Sequence, residues 1–343
     1  MPRIRVLLAD DSFLTLSILK DLLAQDPEIE IVGEAYDGRQ AMEKVAQLRP
    51  DLLIMDVMMP VMDGLTAVQE IMKIHALPIL ILSSDRAAGE QSNAFNAIRL
   101  GALDVMRKPV GISGAAWESF ASTLLAQIHT LSRVRVIHHF RSPRKIAAEA
   151  PLLPAVTSCR SIIAIGASTG GPKVVMKILK DLPVDRDASI VIVQHIASGF
   201  ARGFAEWLNA ESAYTVRIAK DGDSLERSVA LVAPCDQHME VRSGRIVLTN
   251  APQVNGCRPS IDNLFSSLAR ETPTSVVAVL LTGMGKDGAE GLLALKEGGA
   301  YTIAQDEATC AVYGMPRVAF ELGGVREVQP ADKIAATITR QLG

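Results

Sequence analysis

The sequence predicts an α/β protein made of two successive open, mainly parallel sheets, and three observations carry that prediction. Short apolar runs alternate with amphipathic stretches along nearly all of the 343 residues, a length that favours two domains at roughly 150 residues each. Helical segments rather than tight turns separate most of the runs, which implies parallel strands joined by crossover helices. Composition also changes abruptly once, near residue 130.

The first sheet begins with IRVLLAD, which reads as a buried strand, and Leu14, Ile18 and Leu22 follow at the spacing of one helix face. IEIVGEA, DLLIMDV, LPILILSS and ALDVMRKP supply further strands, with helices such as GRQAMEKVAQL between them, so a first domain is expected over 1–128. RVRVIHHFRSPRK then carries five Lys or Arg and no acid, and APLLPAV adds two prolines. A charged, proline-punctuated stretch of this kind reads as a linker, expected over 129–158. The second domain, 159–343, offers the strands SIIAIGAS, ASIVIVQH, VALVAP, SVVAVLLTG and AYTIAQDE, with helices such as KVVMKILKDL and GFAEWLNAE. HMEVRSGRIVLTN has two alternating runs around Ser243-Gly244, a hairpin signal that adds an antiparallel element to a doubly wound, mainly parallel sheet.

Composition excludes several classes of function. With 48% apolar and only 4% aromatic residues, the cores are aliphatic. A net charge of −3 supplies no basic field for nucleic acid, and the second domain shows no basic recognition helix. MPRIRVLLADDS lacks the apolar core of a signal peptide. No apolar stretch approaches the ~20 residues that span a bilayer, so a cytoplasmic chain without membrane insertion is expected. Cys159, Cys235, Cys257 and Cys310 are scattered without a C-x-x-C pair and read as reduced structural thiols.

In the first domain, Asp10 and Asp11 end the first strand and Asp56 ends the third. Strand ends of an open parallel sheet gather at one edge, where ligands bind. Three carboxylates there repel one another unless a hard cation such as Mg²⁺ shares them. Ser83 and Ser84 end the fourth strand, and Lys108 follows the fifth. Acids, a lysine and a hydroxyl at one edge suit a phosphorylatable carboxylate. Solvated helix caps would explain one such aspartate, but not the whole set. On these residues, 3–125 resembles the flavodoxin-like receiver domain of bacterial response regulators. The resemblance implies that Asp56 accepts phosphate and that Asp10, Asp11, Asp56 and the Met58 carbonyl hold Mg²⁺. It further implies that Ser83 is the switch hydroxyl and that Lys108 contacts the phosphate. One position departs from the pattern: Val105 stands where receivers often carry Tyr or Phe.

In the second domain, Gly166-Ala-Ser-Thr-Gly170 fits G-x-S-x-G between a strand and a helix, the context of a nucleophile elbow at Ser168. A serine-capped turn or anion-binding loop fits the same letters. Only His195 and His238 follow residue 150. His195 ends a parallel strand and is the better base, while His238 sits at the foot of the hairpin. LLTGMGKDG then follows SVVAVLL and brings Asp287 to the same edge. Its glycines also match G-x-G-x-x-G, with Asp306 on the next strand as a ribose partner. Against that dinucleotide reading, Asp287 would set a carboxylate where a pyrophosphate belongs. The order Ser, His, Asp differs from the Ser, acid, His of α/β-hydrolases, but triads are defined by geometry.

With IGASTGGP, VQHI, VAPCDQHM, GCRPSIDNLF and the long run from LLTGMGKDG to YGMPR, residues 160–340 resemble the catalytic domain of the chemotaxis protein-glutamate methylesterases, the CheB family. The resemblance implies Ser168 as nucleophile, His195 as base and Asp287 as its orienting acid. Thr169 and Met284 match further active-site positions, Met284 through a backbone N–H in the oxyanion hole. It also implies a monomeric enzyme that hydrolyses glutamate γ-methyl esters on the cytoplasmic helices of chemoreceptors, with a histidine kinase as phosphodonor and no cofactor for the esterase. An unphosphorylated receiver that covers the esterase cleft is the expected mode of control. A non-catalytic response regulator, an output that binds NAD, and action in a related surface-sensing pathway are the alternatives.

Overall fold

Aliphatic runs with intervening amphipathic helices form two separate parallel sheets. In the computed structural model, residues 3–83, 95–109, 111–134, 161–271 and 273–343 are described. Ser84, Cys159 and most of the stretch expected as a linker lie outside them. The chain divides into two units, Met1–Pro143 and Arg144–Gly343.

The first unit contains β1 (Ile4–Ala9), α1 (Phe13–Leu23), β2 (Ile29–Ala35), α2 (Gly38–Leu48), β3 (Leu52–Asp56), α3 (Gly64–Ile74) and β4 (Ile79–Ser83). A helix α4 covers 95–100, and β5 (Asp104–Arg107) and α5 (Ala115–Leu131) complete it. The order β2-β1-β3-β4-β5 is parallel throughout. Strands β3 and β4 are buried along their whole length, as expected of central strands covered on both faces. Each of the first three helices opens on a side-chain cap, with Ser12, Asp37 and Asp63 accepting from the N–H three residues on.

The second unit runs β6 (Ser161–Ala167), α6 (Gly171–Asp181), β7 (Ala188–Gln194), α7 (Ala201–Glu211), β8 (Thr215–Ile218), β9 (Val229–Val232), β10 (His238–Arg242), β11 (Arg245–Thr249) and α8 (Ile261–Glu271). It continues through β12 (Val276–Leu280), α9 (Ala289–Glu297), β13 (Tyr301–Gln305), α10 (Met315–Glu321), β14 (Glu327–Gln329) and α11 (Ile334–Leu342). Its seven-stranded sheet has the order β14-β13-β12-β6-β7-β9-β8, again parallel. The hairpin β10–β11 is antiparallel, but it stands as its own two-stranded sheet. Its buried Met239, Val241 and Ile246 share a core cluster with Leu264, Phe265 and Leu268 of α8.

The chain leaves β6 in one direction toward β7 and returns to the other flank at β12, so the switch point of the sheet lies between β6 and β12. Open parallel sheets bind ligands at the carboxyl ends of such strands. Gly166 of β6 is essential to the close fit there, because a Cβ on it would lie 2.3 Å from Ile261 Cγ2 at the start of α8. Gly166→Ala is therefore expected to lower stability by about 1–3 kcal/mol through overpacking. A urea midpoint unchanged from wild type would show that α8 gives way without strain.

Candidate active site

Two clusters of polar residues meet at carboxyl edges, one in each unit. In the first, Asp10 follows β1 and Asp56 ends the neighbouring β3, both buried. Lys108, just past β5, donates to Asp10 Oδ2 at 2.6 Å and to Asp56 Oδ2 at 2.5 Å. Its backbone N–H bonds the Ser83 carbonyl at 2.9 Å, which ties the lysine to the buried serine that ends β4. Asp56 Oδ1 accepts from the N–H groups of Val57 and Met58 at 2.6 and 3.3 Å. Asp10, Asp11 and Asp56 each offer an oxygen, all within 4.8 Å of one another.

Burial pushes the Asp10 carboxyl up, and Lys108 offsets only part of that effect. Burial also opposes charge on Lys108, but Asp56 and Asp10 outweigh it and hold the ammonium above the usual lysine value. Three carboxylates around one ammonium leave an excess of negative charge and hard oxygen donors, a set that suits a divalent cation. Val105 is buried within β5 opposite Ile81, so the position that carries an aromatic in many receivers here fills core.

In the second unit, the adjacent strands β12, β6 and β7 deliver Asp287, Ser168 and His195 to one edge. Hydrogen bonds extend past the strand ends and fix the loops, from Ser168 N–H to the Thr282 carbonyl at 3.0 Å and from His195 N–H to the Ala167 carbonyl at 2.8 Å. His195 Nε2 lies 2.8 Å from Asp287 Oδ2. That pairing sets Nε2–H as the donor to Asp287 and makes Nδ1 the nitrogen from which the imidazolium loses its second proton. Among the described residues no hydrogen bond joins Ser168 Oγ to His195, so catalysis through this pair requires the two to close on each other.

Asp287 is 2% exposed and could not stay charged without partners. Ser260 Oγ donates to its Oδ1 at 2.7 Å, Ile261 N–H to its Oδ2 at 2.7 Å, and Asp262 N–H to its Oδ1 at 3.2 Å. Asn255 Nδ2 adds a longer bond at 3.3 Å. These donors belong to the N-terminus of α8 and the turn before it, where unpaired N–H groups favour an anion. Burial would raise the Asp287 pKa, but His195 and these donors hold it below the usual carboxylate range. The neighbouring Asp262 is pushed up by burial and by the charge of Asp287. Burial also disfavours the charged form of His195, but Asp287 and Cys257 together outweigh it and lift the imidazole from 6.5 to about 9.

The glycine-rich loop serves these contacts. A Cβ on Gly283 would meet Met315 Cε at 2.5 Å and Ser168 Cβ at 2.6 Å, and one on Gly288 would meet Ile261 Cγ2 at 2.6 Å. Gly285 and Gly288 have φ of +84° and +90°, which glycine adopts without strain. The spacing that matches a dinucleotide turn thus lets protein approach protein, and Asp306 Oδ1 caps its own turn at Thr309 N–H. Gly283 N–H bonds the Val312 carbonyl at 3.0 Å, whereas Met284 N–H has no acceptor among the described residues. Thr169 is buried beside the serine, and its carbonyl accepts from Thr282 Oγ1 at 3.0 Å.

His238 has a different task. Its Nδ1 accepts from Ser260 N–H at 3.2 Å, so its Nε2 carries the hydrogen and donates to the Pro252 carbonyl at 3.0 Å. Fully buried with both nitrogens engaged, it holds Ser260 rather than acting as a base. Sequence reading missed the donors to Asp287, although Ser260 ahead of an apolar-periodic run is a helix-start signal. It also missed Gln194, whose Nε2 donates to the Ser168 and His195 carbonyls at 2.8 and 2.9 Å, and Cys257, whose Sγ lies 3.9 Å from His195 Nδ1.

Comparison with known proteins identifies the families of the two units. The CheB methylesterase family profile matches residues 163–338, and that of the response regulator receiver domain matches 6–114. A protein-glutamate methylesterase/protein-glutamine glutaminase of Pseudomonas aeruginosa is 44% identical over 98% of this chain and 97% of its own length. One from Pyrococcus horikoshii is 38% identical over 98% of this chain and 93% of its own. The crystal structure of the Thermotoga maritima CheB methylesterase catalytic domain superposes with a TM-score of 0.51 at 36% identity, covering 54% of this chain and 99% of that one.

The raised pKa of His195 has a measurable consequence for stability. A group that binds its proton more tightly when folded stabilises the fold fully below its unfolded pKa and ceases to do so as pH rises through the folded value. The His195–Asp287 pair should therefore lose its contribution between 6.5 and about 9. Over that window the urea midpoint of the wild type is expected to fall more than that of His195→Gln. Parallel pH profiles for the two proteins would rule out a charged pair.

Proposed function

The chain belongs to the CheB methylesterase family, with a response regulator receiver domain ahead of the esterase domain, and we propose that Ser168, His195 and Asp287 perform its hydrolysis. The protein is a phosphorylation-regulated protein-glutamate methylesterase of chemotaxis. Its substrates are glutamate γ-methyl esters on the cytoplasmic helices of chemoreceptors, and methanol is released. The 2.8 Å bond between His195 and Asp287 at the strand end beside Ser168 carries this assignment.

With Nε2–H committed to Asp287, Nδ1 of the neutral ring, formed once the imidazolium loses its second proton, takes the Ser168 proton as the hydroxyl oxygen attacks the ester carbonyl. The carbonyl oxygen becomes an oxyanion that the Met284 N–H stabilises, and one such donor is typically worth about 10²–10³ in turnover. The imidazolium passes its proton to the departing methoxide, and methanol leaves an acyl-serine. Water then gives its proton to the same nitrogen and attacks the acyl carbon, which frees glutamate and Ser168. Thr169, buried next to Ser168, holds the turn through its carbonyl bond to Thr282. A side-chain amide can follow the same steps with ammonia as the leaving group, which agrees with the glutaminase in the relatives' names.

Ser168→Ala, with circular dichroism unchanged, is expected to abolish methanol release from methylated receptor membranes. Turnover near the wild-type rate in that variant would remove Ser168 from the mechanism.

In the receiver, Asp56 accepts phosphate from a histidine kinase. Asp10, Asp11 and Asp56, with the Met58 carbonyl, would hold Mg²⁺, which when bound supplies positive charge against the carboxylates and the phosphoryl group. Lys108, released from its two carboxylates, pairs with the phosphoryl oxygens, and the Ser83 hydroxyl moves to meet them. Val105 leaves no aromatic side chain to turn with that serine. A small phosphodonor is expected to raise methanol release several-fold in wild type, but not in Asp56→Asn or after chelation of Mg²⁺. Stimulation that survives in Asp56→Asn would place the acceptor elsewhere.

A further inference from the structure

Cys257 stands beside the catalytic base without a part in the hydrolysis. It closes the turn Val254-Asn-Gly-Cys257, in which Val254 and Cys257 exchange backbone bonds at 3.1 and 2.9 Å. Asn255 and Gly256 have φ of +52° and +75°, the left-handed backbone that Asn-Gly turns adopt. The Asn255 side chain is anchored at 2.7 Å to Asp262 and at 3.3 Å to Asp287, so the turn is held from both backbone and side chain. Cys257 Sγ, in a half-buried position, lies 3.9 Å from His195 Nδ1, the ring nitrogen that carries a lone pair when Nε2–H is paired with Asp287. Ligand atoms of His195, Cys257 and Asp287 all lie within 4.8 Å of one another.

We propose that Cys257 Sγ and His195 Nδ1 form a binding site for a thiophilic divalent cation, Zn²⁺, and that its occupancy shuts off the esterase. A tetrahedral zinc with Zn–S of about 2.3 Å and Zn–N of about 2.0–2.1 Å holds those two ligands roughly 3.6 Å apart. The observed 3.9 Å needs a shift of only a few tenths of an ångström. Thiolate and imidazole select zinc over Mg²⁺, which prefers oxygen. Asp287 accepts the ring's other N–H at 2.8 Å, and a carboxylate on the second N–H of a ligating histidine fixes its tautomer and strengthens it as a donor. Binding releases the Cys257 thiol proton and the Nδ1 proton of the His195 imidazolium to solvent, and water completes the coordination. The ion then occupies the nitrogen that must accept the Ser168 proton. The binding site stands on geometry alone, while the inhibition rests on His195 as the base.

The test uses the full-length protein in excess Mg²⁺, which fills the oxygen-rich receiver site. Titration with Co²⁺, a spectroscopic stand-in for zinc, is expected to produce a near-ultraviolet sulfur-to-cobalt charge-transfer band that Zn²⁺ displaces. The band should vanish in Cys257→Ser and require about 10–100-fold more metal in Asp287→Asn. Bound Zn²⁺ should also protect wild-type Cys257 from iodoacetamide, read by peptide mass, which needs no variant to fold. Buffered Zn²⁺ should stop methanol release, EDTA should restore it, and Cys257→Ser should raise the half-inhibiting concentration beyond about 100-fold, more than losing a partner of a ligand costs. Absence of the band and of protection in wild type, or a band that persists in Cys257→Ser, overturns the site. A band without loss of methanol release overturns the inhibition. A folded protein with no esterase activity counts against the hydrolytic reading, and the cobalt and alkylation results still decide the metal site.

Discussion

The burial of one carboxylate, Asp287, organises the catalytic unit. An isolated buried carboxylate is unfavourable by several kcal/mol and would take up a proton instead. Here the N-terminus of α8, the Ser260 hydroxyl and the His195 ring surround it with donors. That solution makes demands on the rest of the unit. α8 must begin against the ends of β6 and β12, so Gly166 and Gly288 give up side chains to make room for Ile261. Ser260 must be oriented, which engages buried His238. The reward is a histidine with a fixed ring plane and tautomer, a precondition for base catalysis that propensity and packing alone would not supply.

Both units obey one topological rule with different chemistry. Each is a parallel sheet whose strand order reverses beside β1 or β6, and each gathers polar residues where the reversal opens a crevice. In the receiver, the gathered groups are acids with a lysine that bonds two of them, an arrangement that concentrates negative charge. In the esterase, they are the Ser168 hydroxyl, the His195 imidazole and the Asp287 carboxylate, the last two joined by a hydrogen bond. Strand ends decide where reactive residues meet, and the few side chains placed there decide what they do.

Much of this was legible in the sequence because long aliphatic strands announce themselves, and a reactive residue just past such a strand has only one edge to reach. Asp10, Asp56, Ser168, His195 and Asp287 could be gathered on that argument alone. The edge strands β8 and β14 were not foreseen, since they have only four and three residues and no length over which a period can register. The hairpin β10–β11 was foreseen, but its separation from the main sheet was not, because that depends on α8 taking its apolar face. The donors around Asp287 were also invisible. They lie more than twenty residues away in sequence, and only the packing of α8 brings them near.

The same distance hid Cys257. Read along the chain, four scattered cysteines argue against a metal, because metal sites are usually recognised by paired spacing. Folded, an Asn-Gly turn sets one of those thiols against Nδ1 of His195, the nitrogen of the proposed base. A base with an available lone pair, oriented by a carboxylate on its other nitrogen, is by its electronic structure also a good ligand. A hydrolase of this type therefore carries a latent metal site whenever a soft donor stands near its base. Here the neighbour is sulfur, the donor type that the proposed zinc site requires.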